Sequence, residues 1–388
     1  MTLLRERSQE VAAAVAAAGR RFPWYAHCVA ESDYPKSGDP EQLPLVTAEL
    51  LLAHYYGSSA PLAADERAYF TSGTETGRGK RIVWSSRDHA EYVNHRTAAL
   101  EGFVAGCRSA CSDLGTGHAA ASALEVFERL GLQAVSIDFT QPLIQHVETL
   151  NRTEPDVLFT MPMILDRILA SGRLRARLRK IIVLGDIASP AWCLSVAHQL
   201  AIAPTDILDL YGSIEVGSIA VYDHSRGTQR LQPHIIAEVM RSGNDSVLVL
   251  TSLARTTFPA IRFVTGDVVE GFYQEAGGGG FQAITGRLSD DLKHGEKISR
   301  LSILEAVHAV LKSPQVAIHR EDRRIVLEIA SPQMSADCAR RIVGLIRQAN
   351  PEVDQMIRSG LIGDIEVRTV GAECGAVSVK GRILAPAG

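Results

Sequence analysis

Lys180-Ile-Ile-Val-Leu-Gly-Asp-Ile-Ala-Ser-Pro190 begins as an apolar run and ends abruptly in a glycine and a carboxylate. The run predicts a buried strand over 180–184, and the pattern after it predicts a helix over 190–201. Strands and helices alternate in the same way around this stretch. The other predicted elements are helix 119–130, strand 133–137, helix 141–151, strand 156–159, helix 161–171 and strand 206–210. Such alternation indicates βαβ units and a largely parallel sheet, so the predicted fold class is α/β.

Two loops that follow predicted strands carry a glycine and a carboxylate together. One contains Gly185 and Asp186, and the other is Tyr211-Gly-Ser-Ile-Glu215. Ligands of open α/β sheets bind at the carboxyl ends of the strands, in loops of this kind. The local pattern leaves a second interpretation open, in which the glycines only permit tight turns while Asp186 and Glu215 face water.

A loop rich in glycine and hydroxyl groups lies upstream, in Tyr69-Phe-Thr-Ser-Gly-Thr-Glu-Thr-Gly-Arg-Gly-Lys-Arg-Ile82. Glycines let backbone N–H groups turn toward an anion, and the hydroxyl groups and Lys80 add donors and charge, which is typical of a phosphate cradle. Arg81 distinguishes it from the nucleoside-triphosphatase loop, which has Ser or Thr after Gly-Lys. A polar hairpin tip between strands 67–70 and 81–84 is the alternative.

The remaining segments predict an antiparallel sheet and a separate C-terminal unit. An amphipathic helix opens the chain, a short helix covers 46–56, and a helical pattern runs over 86–110. Short strands separated by turns then indicate the antiparallel sheet. They are predicted at 217–222, 235–240, 246–250, 260–264, 268–273 and 280–285, with Gly277–Gly280 at one tip. After a charged linker at 285–297, the pattern predicts helix 301–312, strands 315–319 and 324–330, helix 335–349 and strand 364–370.

Length and charge exclude several classes of protein. At 388 residues the chain is long enough for two or three domains. A net charge of −4 argues against a nucleic-acid binder that depends on a positive field, and no apolar run reaches the ~18 residues of a membrane span. Six cysteines without a Cys-x-x-Cys pair indicate reduced thiols in the cytoplasm. Cys107 and Cys111, spaced for one helix face, are interpreted as buried small side chains rather than metal ligands.

A set of motifs in a fixed order resembles the adenylate-forming (ANL) superfamily, and most closely its phenylacetate–CoA ligase branch. The motifs are Thr71-Ser-Gly-Thr-Glu-Thr-Gly77, Tyr211-Gly-Ser-Ile-Glu215, Thr265-Gly-Asp267, Gly286-Arg287 and a late Lys380. The approach to the third, through Leu248–Leu253 and Phe258–Phe263, is also similar to that branch. Ile214 departs from the pattern, since the family has Thr or Ser there, and the usual glycine before Lys380 is missing.

The resemblance implies an ATP site and assigns residues to it. Thr71, Ser72, Gly73 and Thr74 would hold the β- and γ-phosphates. Tyr211, with Gly212 and Ser213, would bind the adenosine side, and Gly185 and Asp186 would lie at the edge of the base. Asp267 would accept hydrogen bonds from the ribose hydroxyls, and Arg287 would contact ribose or phosphate. Glu215 would hold Mg²⁺, which prefers oxygen ligands.

The resemblance also implies a reaction in two halves and a moving domain. A carboxylate attacks the α-phosphate of ATP, and the acyl group then passes from the acyl-AMP to an acceptor. Lys380 would stabilise the charge that develops in this reaction; an exposed tail lysine is the alternative. A small mobile C-terminal α+β domain, 289–388, would rotate against a large domain, 1–288, about a hinge at 289–291. A rigid solvated loop is the alternative to the hinge.

The expected function is ATP- and Mg²⁺-dependent ligation of an apolar, aromatic carboxylic acid in secondary-metabolite or antibiotic biosynthesis. The resemblance puts the acyl pocket among the helix after Leu114–His118, Phe139 and Phe159–Met163, a mixture that favours an apolar acid. His118 either touches the carboxylate or is a helix-capping or core histidine. CoA, a carrier-protein thiol and an amino acid stay open as acceptors, and a homodimer stays open too. No nucleic-acid or membrane partner is expected. A catalytically degenerate scaffold protein with the same fold is the alternative function.

Overall fold

The computed structural model describes most of the chain, namely residues 2–70, 80–114, 117–138, 141–288, 293–294, 296–297, 300–321, 324–358 and 363–370. The loop at 71–79, the expected hinge at 289–291 and Lys380 lie outside these residues. The chain divides into two compact units. Unit 1 comprises Met1–Ala105, Thr116–Gly131 and Leu210–Ala283, and unit 2 comprises Gly106–Gly115, Leu132–Asp209 and Ile284–Gly388.

Four parallel strands in unit 2 confirm the prediction made from the alternating sequence. Their order is Lys180–Leu184, Val157–Thr160, Ser109–Asp113 and Gln133–Ser136. The apolar run at 181–183 is fully buried, as expected for strands covered on both faces. The helices of this part of unit 2 are Leu143–Thr153, Pro162–Ala170 and Pro190–Leu200, and a single 3₁₀ turn covers Pro204–Asp206.

The prediction of a helix over 86–110 was wrong at its C-terminal end. The helix is Ser86–Leu100, and the strand Ser109–Asp113 replaces its expected end. Gly106 adopts a φ of +78°, which a helix does not permit. The strand escaped notice because Ser-Ala-Cys-Ser-Asp carries no β-branched or aromatic residue. Cys111 is buried in this strand, so it shares no helix face with Cys107.

Unit 1 begins with helices and a hairpin. The helices are Leu3–Glu6, Ser8–Arg21, Pro23–Glu31, Tyr34–Ser37, Ala48–Leu51, Ser86–Leu100 and His118–Arg129, with a 3₁₀ turn at Pro40–Gln42 and a π-helical turn at Leu52–Tyr56. Strands Glu66–Phe70 and Arg81–Ser85 pair antiparallel in the hairpin. The two strands that were predicted to flank the glycine-rich loop are therefore confirmed, while the loop itself lies among the residues not described.

The antiparallel strands after residue 207 confirm the predicted change of sheet type. Ile207–Ser213 begins in unit 2 and ends in unit 1, where it pairs with Gly217–Asp223. The next strands in unit 1 are Thr228–Leu231, Ile235–Ser242, Asp245–Ser252, Phe263–Glu270, Tyr273–Glu275 and Gly278–Phe281. Thr228–Leu231 was not predicted, and the two strands expected at 260–264 and 268–273 are replaced by Phe263–Glu270 and Tyr273–Glu275. Ala283–Arg287 follows, beginning at the last residue of this unit.

The run of four glycines is mainly a strand and not the tip that the sequence predicts. Only Gly277 lies in the turn, and Gly278–Phe281 pairs with both neighbouring strands. A Cβ at Gly279 would lie 2.8 Å from the Tyr273 carbonyl oxygen, and one at Gly280 would overlap the Gln229 carbonyl. Glycine is needed here because the neighbouring backbones approach closely.

The C-terminal segment of unit 2 has a hydrophobic core of its own. It contains helices Arg300–His308, Ala336–Ala349 and Pro351–Arg358 and strands Gln315–Glu321, Arg324–Ala330 and Glu366–Thr369, with a minor strand pair at Lys293–His294 and Glu296–Lys297. Its core residues include Ile303, Val307, Ile325, Leu327 and Ile342. Helix Pro351–Arg358 was not predicted. These observations confirm the α/β class with a small C-terminal α+β part, while the boundary at 288 stays a prediction.

Within unit 2, the C-terminal segment packs on helix Pro190–Leu200. The Ser313 hydroxyl donates to Gln199 at 3.0 Å, and the Glu305 carboxylate accepts from the Ala191 N–H at 3.5 Å. Burial raises the pKa of Glu305. In the described part of the chain, no helix has both the length and the apolar character needed to cross a bilayer.

Candidate functional site

The predicted site residues fall into three groups in the structure. Unit 1 holds Tyr211, Gly212, Ser213, Glu215 and Asp267. Unit 2 holds Gly185, Asp186 and Arg287. Thr71, Ser72, Gly73, Thr74 and Lys380 lie outside the described residues. The roles that the resemblance gives to all of them stay predictions.

Tyr211 and Asp267, which are distant in sequence, are brought together in unit 1. The Tyr211 hydroxyl donates a hydrogen bond of 2.5 Å to the Asp267 carboxylate, which is 6% exposed. The Tyr211 ring also packs edge-on against Phe281, with ring centroids 5.8 Å apart. The Thr265 hydroxyl accepts from the Asp267 N–H at 3.0 Å next to Gly266, whose φ of +80° lies where the strand pairing shifts register. This geometry fixes the orientation of the carboxylate.

The turn from Gly212 to Gly217 is held mainly through its backbone. A Cβ at Gly212 would lie 2.6 Å from the Gly217 carbonyl oxygen, so only glycine fits. The Ser213 hydroxyl accepts from the Val216 N–H at 3.1 Å. The Ile214 carbonyl accepts from the Trp84 indole at 3.0 Å. The turn presents the half-buried Glu215 side chain while its main chain is anchored on both sides.

A buried ion pair between Arg255 and Asp88 anchors this turn, and sequence reasoning missed it. The side chains are 2% and 0% exposed. Arg255 donates to the Glu215 carbonyl at 2.9 Å and to the Val83 carbonyl at 3.0 Å, and its guanidinium lies 3.9 Å from the Trp84 ring centroid. The pair thus ties the hairpin strand to the Tyr211–Gly217 segment.

The Asp88 carboxylate is satisfied by several donors. Thr256 and Thr257 donate to it through their backbone N–H groups and their hydroxyls. Burial opposes its ionisation, but the Arg255 charge and these hydrogen bonds outweigh that effect and lower the pKa of Asp88. The signal that could have revealed the pair is Arg255-Thr-Thr257, a charged and hydroxyl-rich triplet immediately before apolar Phe258-Pro-Ala260.

His118 lies in an aromatic environment at the start of helix His118–Arg129. It is 3% exposed and stacks on Trp84, with ring centroids 3.6 Å apart. Its Nε2 lies 3.0 Å from Nδ1 of His89, whose Nε2 lies 2.7 Å from a Glu125 carboxylate oxygen. Burial, together with the charges of His89, Arg255 and Arg96, lowers the pKa of His118 to about 2. The histidine is therefore a neutral, buried group; its contact with a substrate carboxylate stays a prediction.

Gly185 and Asp186 follow their strand in unit 2 as predicted. Gly185 has a φ of +96°, and a Cβ there would lie 3.2 Å from the Met161 methyl carbon. Asp186 accepts from the Ile187 N–H at 2.8 Å and lies 3.7 Å from an Arg300 nitrogen. Arg287 is exposed at the end of its strand.

The expected walls of the acyl pocket are only partly described. Phe159 and Met161 are buried in unit 2, at 2% and 6% exposure. Phe139 lies outside the described residues. The apolar character of these two side chains fits the predicted wall, but the acid they would contact stays a prediction.

The donor set around Glu215 fits a magnesium ion that arrives with a nucleotide. In the residues that the structure describes, no group of three or more His, Cys, Asp or Glu side chains could enclose a metal ion. Mg²⁺ in phosphate-transferring sites is typically bound by one or two carboxylates together with the substrate's phosphates and water. One half-buried carboxylate at 215 is consistent with that mode.

Comparisons with known proteins find similar ligases both by sequence and by fold. Residues 293–372 match the family model described as the fumarate–diaminopropanoate ligase C-terminal domain. Fumarate–(S)-2,3-diaminopropanoate ligase from Enterobacter agglomerans is 41% identical over 367 residues, which span 91% of this chain and 92% of that protein.

Among solved structures, the fold is similar to that of 2-hydroxyisobutyryl-CoA ligase in its postadenylation state. The TM-score is 0.72 at 18% identity, covering 95% of this chain and 86% of the other. The amide bond synthetase McbA from Marinactinospora thermotolerans has a TM-score of 0.55 at 16% identity, covering 78% of this chain and 64% of the other. At these identities the similarity concerns the fold alone.

Proposed function

The chain belongs to the family of ATP-dependent acid ligases that includes fumarate–(S)-2,3-diaminopropanoate ligase, within the adenylate-forming superfamily; from this premise we propose that it joins a short dicarboxylic acid such as fumarate to the amine of an amino acid such as 2,3-diaminopropanoate. The observation that carries the proposal is 41% identity maintained over 91% of the chain. An amino acid was one of the acceptors that the sequence left open.

The proposed reaction has two balanced steps. A carboxylate oxygen of the acid attacks the α-phosphorus of ATP, and the bond to the β-phosphate bridging oxygen breaks, releasing pyrophosphate. The amine nitrogen then attacks the acyl carbon, the bond from that carbon to the AMP oxygen breaks, and one proton is released as the amide forms. Mg²⁺ held by Glu215 would neutralise charge on the phosphates.

The residues of unit 1 support the first step in specific ways. Asp267, oriented by the Tyr211 hydroxyl, retains acceptor capacity for the ribose hydroxyls. The anchored turn keeps Glu215 in a fixed place, which favours a pre-formed site for the metal and the phosphates. Thr71–Thr74 and Lys380 keep their expected roles on the phosphates as part of the proposal.

Acid-dependent exchange of labelled pyrophosphate into ATP tests the first step. Fumarate should support exchange, and benzoate and phenylacetate test the sequence-based expectation of an aromatic acid. Mass spectrometry of the products, with 2,3-diaminopropanoate or CoA as the acceptor, then distinguishes an amide from a thioester. Fumarate exchange with formation of an amide and no thioester is expected.

Two results would overturn the proposal. Exchange with aromatic acids but not with fumarate would restore the earlier expectation of the substrate. No exchange with any acid, together with no binding of ATP or AMP in calorimetry and no effect of Asp267→Ala, would favour the scaffold alternative. Asp33→Ala, at an exposed position in the N-terminal region, is the matched control.

A further inference from the structure

Arg96 is a buried cation most of whose donors have no acceptor among the described residues. It lies on helix Ser86–Leu100 with 1% exposure. Its Nη2 donates to the Tyr92 hydroxyl at 3.3 Å, but Nε and Nη1 have no hydrogen-bond partner. In the described part of the chain, no ion pair includes Arg96. A guanidinium stays charged in a protein, so burial without an anion is costly.

A second set of unused polar atoms lies beside this guanidinium. The Ser218 hydroxyl and Nδ1 of His234 are buried without a hydrogen-bond partner, in side chains from residues that are 1% and 8% exposed. A Cβ at Gly212 would lie 3.5 Å from Nη2 of Arg96, and Ser218 is the strand partner of Gly212. Partners directly opposite in an antiparallel pair project to the same face, so the Ser218 side chain is on the Arg96 side.

The His234 side chain stacks on His95 and is close enough to Arg96 for the guanidinium charge to act on its ring. The ring centroids of the two histidines are 3.7 Å apart. Burial and the charges of His95 and Arg96 lower the pKa of His234 to about 3, so the ring is neutral; its single N–H is used by the Ser218 backbone, which leaves Nδ1 as an acceptor. A guanidinium and a hydroxyl thus offer donors beside a neutral imidazole, and among the described residues no carboxylate is paired to Arg96. We call Arg96, Ser218 and His234 the Arg96 pocket.

We propose that the Arg96 pocket binds the second carboxylate of a dicarboxylic acid substrate and thereby selects dicarboxylic over monocarboxylic acids. The inference rests on the proposed function, because it names the determinant of that acid. A carboxylate is a small planar anion that takes several N–H and O–H donors at once, as a guanidinium requires. The pocket adjoins Gly212, in the same turn that carries the predicted nucleotide and magnesium residues.

The chemistry predicts strong discrimination. A buried site built to hydrogen-bond a charged group leaves its donors unpaired when an analogue lacks that group, and such sites discriminate by roughly 10⁴-fold or more. Crotonate keeps the carbon skeleton of fumarate with a methyl group in place of one carboxylate. Fumaramate keeps the shape and replaces the charge with an amide. Both should be poor substrates of the unmodified protein.

The test measures pyrophosphate exchange with fumarate, fumaramate and crotonate in three proteins. These are the unmodified chain, Arg96→Met, which keeps the length of the side chain without its charge, and Arg87→Met, a control at an exposed position on the same helix. We expect Arg96→Met to lose at least about 100-fold in kcat/KM for fumarate and less than about threefold for crotonate, with an unchanged KM for ATP. Arg87→Met should behave like the unmodified protein.

The outcomes separate this inference from the function on which it rests. Exchange with fumarate that survives in Arg96→Met with its preference over crotonate intact would overturn the role of Arg96 and leave the proposed ligase standing. No exchange with any acid in the unmodified chain would instead overturn the ligase. If Arg96→Met does not fold, the unmodified protein decides, since equal kcat/KM for fumarate and fumaramate also contradicts the pocket.

Discussion

Asp88→Ala is expected to cost the protein much of its stability, because it leaves Arg255 buried without its counter-ion. The substitution removes five hydrogen bonds to the carboxylate, from Arg255 and from the backbone and hydroxyl groups of Thr256 and Thr257. Breaking one partner out of a buried ion pair typically costs about 3–5 kcal/mol. For a cooperative unit of about 150–250 residues, this lowers Tm by roughly 10 °C.

Urea titration followed by tryptophan fluorescence measures the loss, and Trp84 beneath the Arg255 guanidinium is a suitable probe. Arg87→Ala, at the exposed neighbouring position, is the control and should change the free energy of unfolding by less than about 0.5 kcal/mol. The double variant Asp88→Leu, Arg255→Met should recover part of the stability, since no charge is left unpaired, although the N–H groups of Thr256 and Thr257 still lose their acceptor.

Two results would refute this reasoning. One is a loss below about 1 kcal/mol in Asp88→Ala, the range of exposed pairs. The other is a double variant that is no more stable than the single one. The double variant has a second use, because it also removes the donor to the Glu215 carbonyl. We expect it to fold and yet to exchange pyrophosphate poorly.

Three other perturbations follow from local geometry. Gly280→Ala should lower the free energy of unfolding by about 2 kcal/mol, because its Cβ meets the carbonyl of the adjacent strand. Gly278→Ala, whose Cβ lies in open space, is the control and should be tolerated. Equal urea midpoints for the two variants would contradict this prediction. Tyr211→Phe removes the donor to Asp267, and calorimetry should show AMP binding weakened about fivefold; unchanged affinity would argue against a positioning role. Because the pKa of His118 lies near 2 in the folded chain and near 6.5 when unfolded, the unfolded state takes up the proton as pH falls below about 6.5. This histidine alone should then lower the stability by ~1 kcal/mol per pH unit, and His118→Phe should reduce the slope by that amount in urea titrations between pH 7 and 5, while His234 and His308, whose pKa values are also lowered by burial, keep part of it.

The sequence predicted those parts of the fold that depend on local patterns. In the strand at 180–184, four apolar residues follow Lys180 and all four are buried, which makes the pattern of a strand covered on both faces unambiguous. Strand Ser109–Asp113 lies in the same parallel sheet, but its small polar side chains carry no such signal. The four glycines were misinterpreted for a related reason, since a glycine that permits a turn and one that permits close backbone approach are identical in sequence.

In the candidate site too, the sequence predicted the residues that belong to local motifs and missed those that meet only in the folded chain. Tyr211 and Asp267 were singled out as members of separate motifs, and the structure shows their side chains joined by a hydrogen bond. Arg255 and Asp88 are 167 residues apart and belong to no motif, so only the folded chain reveals their pairing. The burial of Arg96 could not be predicted from the sequence either. An arginine in a helix that begins Ser86-Arg-Asp-His is typically solvated, whereas Arg96 is 1% exposed in the structure.

The backbone contacts that anchor the Tyr211–Gly217 turn determine which of its side chains can be substituted. The carbonyl groups of Ile214 and Glu215 are held by Trp84 and Arg255, and a backbone carbonyl is present whatever side chain follows it. Position 214 can therefore exchange its side chain while the main chain keeps its path. The family that the sequence resembles has Thr or Ser at this position, so we expect Ile214 to change which groups face a phosphate while the backbone of the turn stays the same. In this turn the backbone conformation does not depend on the side chain at 214. A substitution at Ile214 can therefore change the chemical groups offered to a ligand without changing the path of the main chain.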